Sequence, residues 1–194
     1  MKPRLVIFTK APVLGGAKTR LAAGIGKVHA NRLYRAMIRA VIRRTTDPRW
    51  ETQLWVAPDE AANHDFGGVW PDHLPRIMQG SGSLSPRLTR AMSAKGPVIV
   101  IGTDAPQIRA RDIAKAIKLL RNNELVFGPS DDGGFWLIAA NGPVNAALFE
   151  NIAWSTDTAL ADVEKNCSGS VAYLRTLIDV DDIEALAKVR GGWG

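Results

Sequence analysis

Three cations, Lys10, Lys18 and Arg20, follow a short apolar run at residues 5–8, with Pro12, Gly15 and Gly16 between them. A strand leading through a glycine-bearing cationic loop into a helix is a phosphate-holding arrangement. Backbone N–H groups at the helix start and nearby side-chain cations converge on one anion. The pair Lys18-Thr19 suggests a P-loop, but the spacing excludes one: the required glycines fall at Pro12 and Ala17. An ordinary solvated loop is the alternative. Position at the carboxyl end of a strand, where open sheets bind ligands, favours phosphate.

Carboxylates answer these cations. The apolar run 98–101 ends in Gly102-Thr103-Asp104-Ala105-Pro106, and Pro106 stops the strand from continuing. An aspartate so placed sits at the ligand crevice, where phosphate would repel it unless a divalent cation lay between. Mg²⁺ is held by one or two carboxylates plus phosphate oxygens and water, which makes Asp104 the leading metal-ligand candidate. The competing role is a turn or a helix N-cap. A second acidic segment, Gly128-Pro129-Ser130-Asp131-Asp132-Gly133-Gly134, permits close backbone approach. On its own it reads better as a hairpin turn. A third, Asp179-Val180-Asp181-Asp182, precedes a short helical stretch at 183–189, where acids complement the helix dipole. The three histidines have no catalytic or metal-binding spacing.

The elements that must position these groups alternate along the chain. Strands are predicted at 5–8, 53–57, 97–101, 125–127 and 135–139, and helices near 29–45, 84–94, 110–121, 143–149 and 156–166. This pattern predicts an α/β sandwich around a mostly parallel sheet. The uninterrupted Val98-Ile99-Val100-Ile101 suits a central strand covered on both faces. Turn-rich segments at 63–75 and 79–86 are expected to form loops near a site.

With 194 residues, 46% hydrophobic and 23% charged, the chain is expected to form one domain over 1–194. No apolar run approaches membrane-spanning length, and the first residues lack a signal-peptide layout. The single Cys167 has no cysteine partner for a disulfide or zinc site, which suits a reducing cytoplasm. Much of the net charge of +6 falls on the helix at 29–45, as Arg32, Arg35, Arg39, Arg43 and Arg44. Its opposite stripe is Leu33, Met37, Ile38, Val41 and Ile42, so the arginines read as a solvated face. No nucleic-acid motif accompanies them, and no nucleic-acid partner is expected.

Taken together, these segments resemble a bacterial family of nucleotide-diphospho-sugar transferase-like proteins, usually described as glycosyltransferases, of the GT-A fold and containing a domain of unknown function. The family opening "FxKAPxPGxxKTRL" is matched by "FTKAPVLGGAKTRL" at 8–21. Its "IGSDCP" appears as "IGTDAP" at 101–106, and its "GPxxDGGYxLIG" as "GPSDDGGFWLIA" at 128–139. A "WST" follows at 154–156, and "DVDDIEAL" at 179–186 is similar to the family's "DVDTPEDL". The "AKTRL" opening is also similar to that of 2-phospho-L-lactate guanylyltransferase and, more distantly, molybdenum-cofactor guanylyltransferase. One segment departs from the pattern: where the family has "QGxGDLGxRL", Ser83 replaces the acid and Ser85 a glycine.

The resemblance implies a Rossmann-like three-layer α/β/α sandwich of GT-A type with a mostly parallel central sheet. It implies a metal-dependent transferase, using Mg²⁺ or Mn²⁺, that takes a nucleotide or nucleotide-sugar donor and a small-molecule acceptor. Glycosyl transfer is the first reading. Nucleotidyl transfer from a nucleoside triphosphate, or a non-catalytic nucleotide-binding regulatory module, are the alternatives. Lys18 and Arg20 would neutralise the departing phosphate, and Asp132 would orient or deprotonate the acceptor. Lys10, Pro12, Gly15, Gly16, Gln79, Gly80, Arg87 and Thr103 would complete the nucleotide site. Asp104 would bind the metal, with Asp181 the better second ligand and Asp179 its alternate. Asp131, Gly133, Gly134, Trp154, Ser155 and Thr156 would line the acceptor side; a core tryptophan beside a capping Ser or Thr is the equal alternative for the last three.

Overall fold

The structure, a computed structural model, describes residues 1–64 and 66–189. Seven strands form one sheet: β1 (Arg4–Lys10), β2 (Glu51–Ala57), β3 (Arg76–Met78), β4 (Pro97–Ile101), β5 (Leu125–Pro129), β6 (Phe135–Asn141) and β7 (Val171–Tyr173). Their order is β3-β2-β1-β4-β6-β5-β7, and only β6 runs against its neighbours. Ile7 pairs with Ile101, and Val100 with Ile138, so β1 and β4 occupy the middle of the sheet.

Helices α1 (Thr19–Ile25), α2 (Lys27–Thr45), α3 (Leu84–Ala91), α4 (Ala110–Leu119), α5 (Ala159–Lys165) and α6 (Ile183–Val189) complete the order. Alternating strand residues divide the core between the two faces. Leu5, Ile7, Ile99 and Ile101 pack with Ile38, Val41 and Ile42 of α2 and Ile113 and Ala116 of α4. Val6, Val98, Val100 and Ile138 pack with Leu88 and Ala91 of α3 and Val163 of α5. Side chains alternate across a strand, so one pleated strand supplies both cores. The result is the three-layer sandwich expected from sequence. No helix among the described residues is long and apolar enough to cross a membrane.

Several local expectations change. The chain at 143–149 forms only a 3-10 turn at Ala146–Phe149, capped by Asn145 accepting from the Ala147 N–H at 3.0 Å. Pro143 lacks the N–H a longer helix would use. Helix α5 begins at Ala159 rather than near 156, because Ser155 has φ 66° and Thr156 Oγ1 bonds to the Ala153 carbonyl. The arginine face of α2 is not simply solvated: Arg35 donates to the Phe66 carbonyl, Arg39 to that of Gly67 and Arg44 to that of Pro106.

The topology decides what can meet. Parallel β1, β4 and β5 present their carboxyl ends at one edge, and antiparallel β6 starts there. The loops after β1 and β4 and the β5–β6 hairpin are therefore neighbours, although Asp132 lies 114 positions after Lys18 in the chain.

Candidate active site

Lys18 lies at the start of α1 with left-handed backbone angles, φ 55° and ψ 46°. For a residue with a Cβ this conformation costs roughly 1–2 kcal/mol. It turns the side chain inward, where only 4% is exposed. The ammonium Nζ lies 2.6 Å from Asp104 Oδ1, 3.4 Å from Asp181 Oδ1 and 3.5 Å from Asp179 Oδ1. Arg20, mostly exposed, places Nη1 3.5 Å from Asp181 Oδ2. Burial works against the Lys18 charge, but Asp104, Asp179 and Asp181 more than offset it and hold the ammonium above the usual lysine range.

Asp179 responds in the opposite sense. Its carboxyl is pushed up to about 6, first by burial and then by Asp104, with Asp132 and Asp181 adding to the effect and Lys18 opposing it. Its Oδ1 is buried and makes no hydrogen bond, since the Lys18 ammonium meets it only at ion-pair distance.

The acids reach this point by specific anchoring. Asp104 follows β4 by three residues, and its carbonyl accepts the Val180 N–H at 3.0 Å. Val180 is fully buried in a small cluster with Leu21, Ala30, Met37 and Leu186, joining α1, α2 and α6. That apolar peg fixes the segment so that the flanking Asp179 and Asp181 both face Lys18. Asp131 also positions Asp179, accepting its N–H at 3.1 Å on Oδ1 while its own N–H donates to the Leu177 carbonyl. The helix-capping role falls to Asp182 alone, whose Oδ1 accepts the Ala185 N–H at 2.8 Å. Asp104 caps no helix; α4 is capped by Asp112 accepting the Arg109 N–H.

These groups open onto a cleft of about 900 Å³. Lys10, Thr103, Gln79, Arg87, Asp132, Ser155 and Thr156 also line it. Gln79 is a strut: Nε2 donates to the Trp55 and Thr9 carbonyls, and Oε1 accepts from Arg87 at 3.3 Å. Arg87 keeps a buried Nε without a partner beside the cleft. Asp132 sits on the hairpin lip, its Oδ1 accepting the Gly134 N–H at 3.1 Å.

Other candidates lie outside the lining. Pro12, Gly15 and Gly16 shape the turn between β1 and α1, and the Gly80 N–H is taken by Asp59. Gly133, at φ 84°, packs on the backbone of Asp157, where a Cβ would lie 2.1 Å from the carbonyl oxygen. Trp154 packs against Phe135, and its Nε1 donates to Ser85 Oγ at 2.8 Å. The departure at Ser85 thus supplies a partner that glycine lacks.

Sequence reasoning missed Tyr34 and Asp157, both in the lining. The Tyr34 hydroxyl bonds to the Lys10 backbone, and burial and then Asp104 raise its pKa. Within the helical pattern of α2 it is one more core-facing ring, so no local signal distinguished it. Asp157 follows the "WST" segment without a spacing of its own.

Among the described residues, no three His, Cys, Asp or Glu side chains are arranged as a metal cage. The donor set nevertheless fits a hard dication, being entirely carboxylate, with one buried oxygen unbonded and one carboxyl strained toward its neutral form. Such a site is completed by phosphate oxygens and water rather than by protein.

Solved structures share this fold. A protein from Desulfovibrio desulfuricans G20, described as a candidate nucleotide-diphospho-sugar transferase, superposes with TM-score 0.86 at 24% identity, covering 98% of this chain and 87% of that one. Rv0371c of Mycobacterium tuberculosis H37Rv, in complex with manganese, gives 0.57 at 13% identity, covering 99% and 100%. CMP:2-keto-3-deoxy-manno-octonic acid synthetase, complexed with CTP, gives 0.58 at 14% identity, covering 98% of each chain. No curated protein matches the sequence. One family model does match, over residues 40–156, from the last turns of α2 through β4 with Asp104, the Asp131-Asp132 hairpin and Thr156. The chain belongs to that bacterial family, described as "Uncharacterized protein conserved in bacteria (DUF2064)".

Proposed function

We propose that this protein is a metal-dependent transferase acting on a nucleotide-activated donor. The observation that carries the reading is the meeting of Lys18 with Asp104, Asp179 and Asp181 at the carboxyl edge of the sheet, opening on a cleft that Asp132 borders. Asp104, with Asp181 or Asp179, would hold Mg²⁺ or Mn²⁺. When bound, such an ion stabilises charge developing on the leaving phosphate. Arg20 and Lys10 reach the same edge and would bind phosphate oxygens. Asp132 leaves Oδ2 free of protein hydrogen bonds, and would orient the acceptor hydroxyl and take its proton. Ser155 and Thr156 would border the acceptor.

Transfer of a sugar from a nucleotide sugar is the first reading. Nucleotidyl transfer from a nucleoside triphosphate is the second, favoured by the shared fold of a synthetase solved with CTP. Another protein of this fold was solved in complex with manganese, which is in keeping with a dication-using reading.

A thermal-shift screen of nucleotides and nucleotide sugars with Mg²⁺ or Mn²⁺, followed by mass spectrometry of products, tests the reading. Stabilisation that requires the metal is expected, with release of a nucleoside diphosphate for glycosyl transfer or pyrophosphate for nucleotidyl transfer. Asp104→Asn should abolish metal-dependent binding while leaving the circular dichroism spectrum unchanged. Unaltered binding and turnover in that variant would remove Asp104 from the site. Binding without turnover for any acceptor would mark a nucleotide-binding module instead.

A further inference from the structure

We propose that the Lys18 ammonium is a resident counter-cation for the carboxylate cluster, displaced by a metal–polyphosphate complex, so that the dication enters with the nucleotide rather than ahead of it. The inference rests on the metal–nucleotide reading above and adds an order of binding to it.

Its basis is geometric. Nζ lies within 3.5 Å of one oxygen from each of Asp104, Asp179 and Asp181, the same carboxylates a dication would use. Mg²⁺ binds oxygen at about 2.0–2.1 Å, so an ion held by these carboxylates would lie against the ammonium. Two cations that close repel strongly in a partly dry site, and the ammonium must move before the ion can settle.

The surroundings make that movement feasible in one direction. The Lys18 side chain is 4% exposed while those of Asp104 and Asp181 are 45% and 44% exposed. The cluster is therefore plugged from beneath and open toward the cleft. The backbone at Lys18 is left-handed without being glycine, a conformation kept only where neighbouring contacts hold it. The three ion pairs are such contacts. Lys18 itself lines the cleft, so a modest rotation about its own side chain exchanges carboxylate oxygens for phosphate oxygens. The carboxylates then receive the dication that the polyphosphate brings. Every charge is partnered before and after, and neither ligand can complete the exchange alone.

The test is a titration of Mn²⁺ alone, by calorimetry and by electron paramagnetic resonance of the free ion, on wild type, Lys18→Met and Lys18→Arg. Wild type should bind Mn²⁺ weakly without nucleotide. Lys18→Met should bind it at least tenfold tighter and gain melting temperature on adding it. Lys18→Arg keeps a cation in the cluster and should behave as wild type. Equal Mn²⁺ affinity in wild type and Lys18→Met overturns the proposal, as does Arg matching Met. Should Lys18→Met fail to fold, Lys18→Gln decides by the same criterion. Failure of the underlying reading looks different: wild type would then show no binding of a nucleoside triphosphate or a nucleotide sugar by calorimetry, with or without Mn²⁺.

Discussion

Lys18 shows how far a single residue could be read from its neighbours in sequence. Its place after a strand, with a nearby arginine, puts a cation at the carboxyl edge of the sheet, and the same reasoning puts Asp104 there. What sequence could not show is that the two touch, because the 2.6 Å contact depends on the pairing of β1 with β4. The raised carboxyl of Asp179 was equally hidden, since it arises from burial and from Asp104 and Asp132, brought from two other loops, as well as its near neighbour Asp181. It has a measurable consequence. The folded-state value of about 6 exceeds the ordinary 3.8, so folding takes up a proton between them. Stability of the metal-free protein due to this group should be greatest below about pH 4 and decline as pH rises to about 6. Asp179→Asn should flatten that part of the profile, measured by urea denaturation at several pH values. An identical slope in the variant would deny Asp179 the shift. Ser85 offers a second case. Removing its hydroxyl in Ser85→Ala takes the acceptor from the half-buried Trp154 indole and should lower stability by about 1 kcal/mol. A double-mutant cycle with Trp154→Phe should show that loss vanish once the indole N–H is gone.

At the scale of elements, those with a pattern of their own were legible, down to the seven residues of α6, and those held only by pairing or packing were not. The helices at 27–45 and 110–119 and the central strands carry enough residues for their spacing to speak. Strands β3 and β7 have three residues each and owe their existence to pairing at the two sheet edges. Helix α1 carries Gly24 and ends at Gly26, weak helix formers whose segment is held by packing of Leu21 against α2 and α6. The β5–β6 hairpin was read correctly as a turn, and its part in the site follows from β6 being antiparallel. That turn depends on Gly133. Adding a methyl there meets the Asp157 carbonyl in a left-handed backbone, so Gly133→Ala should cost about 2–4 kcal/mol. Chemical denaturation measures the cost, and a loss under 1 kcal/mol would show that the 153–158 loop yields easily.

Across the whole molecule, the site is assembled from both ends of the chain, and the C-terminal segment is what closes it. Arg175 ties that segment to α4 through paired bonds to Asp112, Nε to Oδ1 at 3.0 Å and Nη2 to Oδ2 at 2.9 Å. Its carbonyl also accepts the Trp136 indole N–H. Bonds of this charged kind contribute roughly 1.5–3 kcal/mol, and Arg175→Gln should lose about that much. It should also weaken nucleotide binding, because residues 177–181 carry two of the carboxylates. Unchanged stability and binding would show that Val180 and the bonds to Asp131 anchor the segment without Arg175. The sandwich itself was legible from alternation of strand and helix, whereas the convergence of four loops was not, since it depends on strand order. The proposed activity depends on one dication joining Asp104 and Asp181 or Asp179 to a polyphosphate. The most direct measurement is an anomalous difference map at the manganese edge from crystals grown with Mn²⁺ and a non-hydrolysable nucleoside triphosphate. A single strong peak bonded to Asp104 Oδ and to phosphate oxygens is expected, with Lys18 Nζ moved off the carboxylates. Nucleotide bound in the cleft with no peak at Asp104 would contradict it.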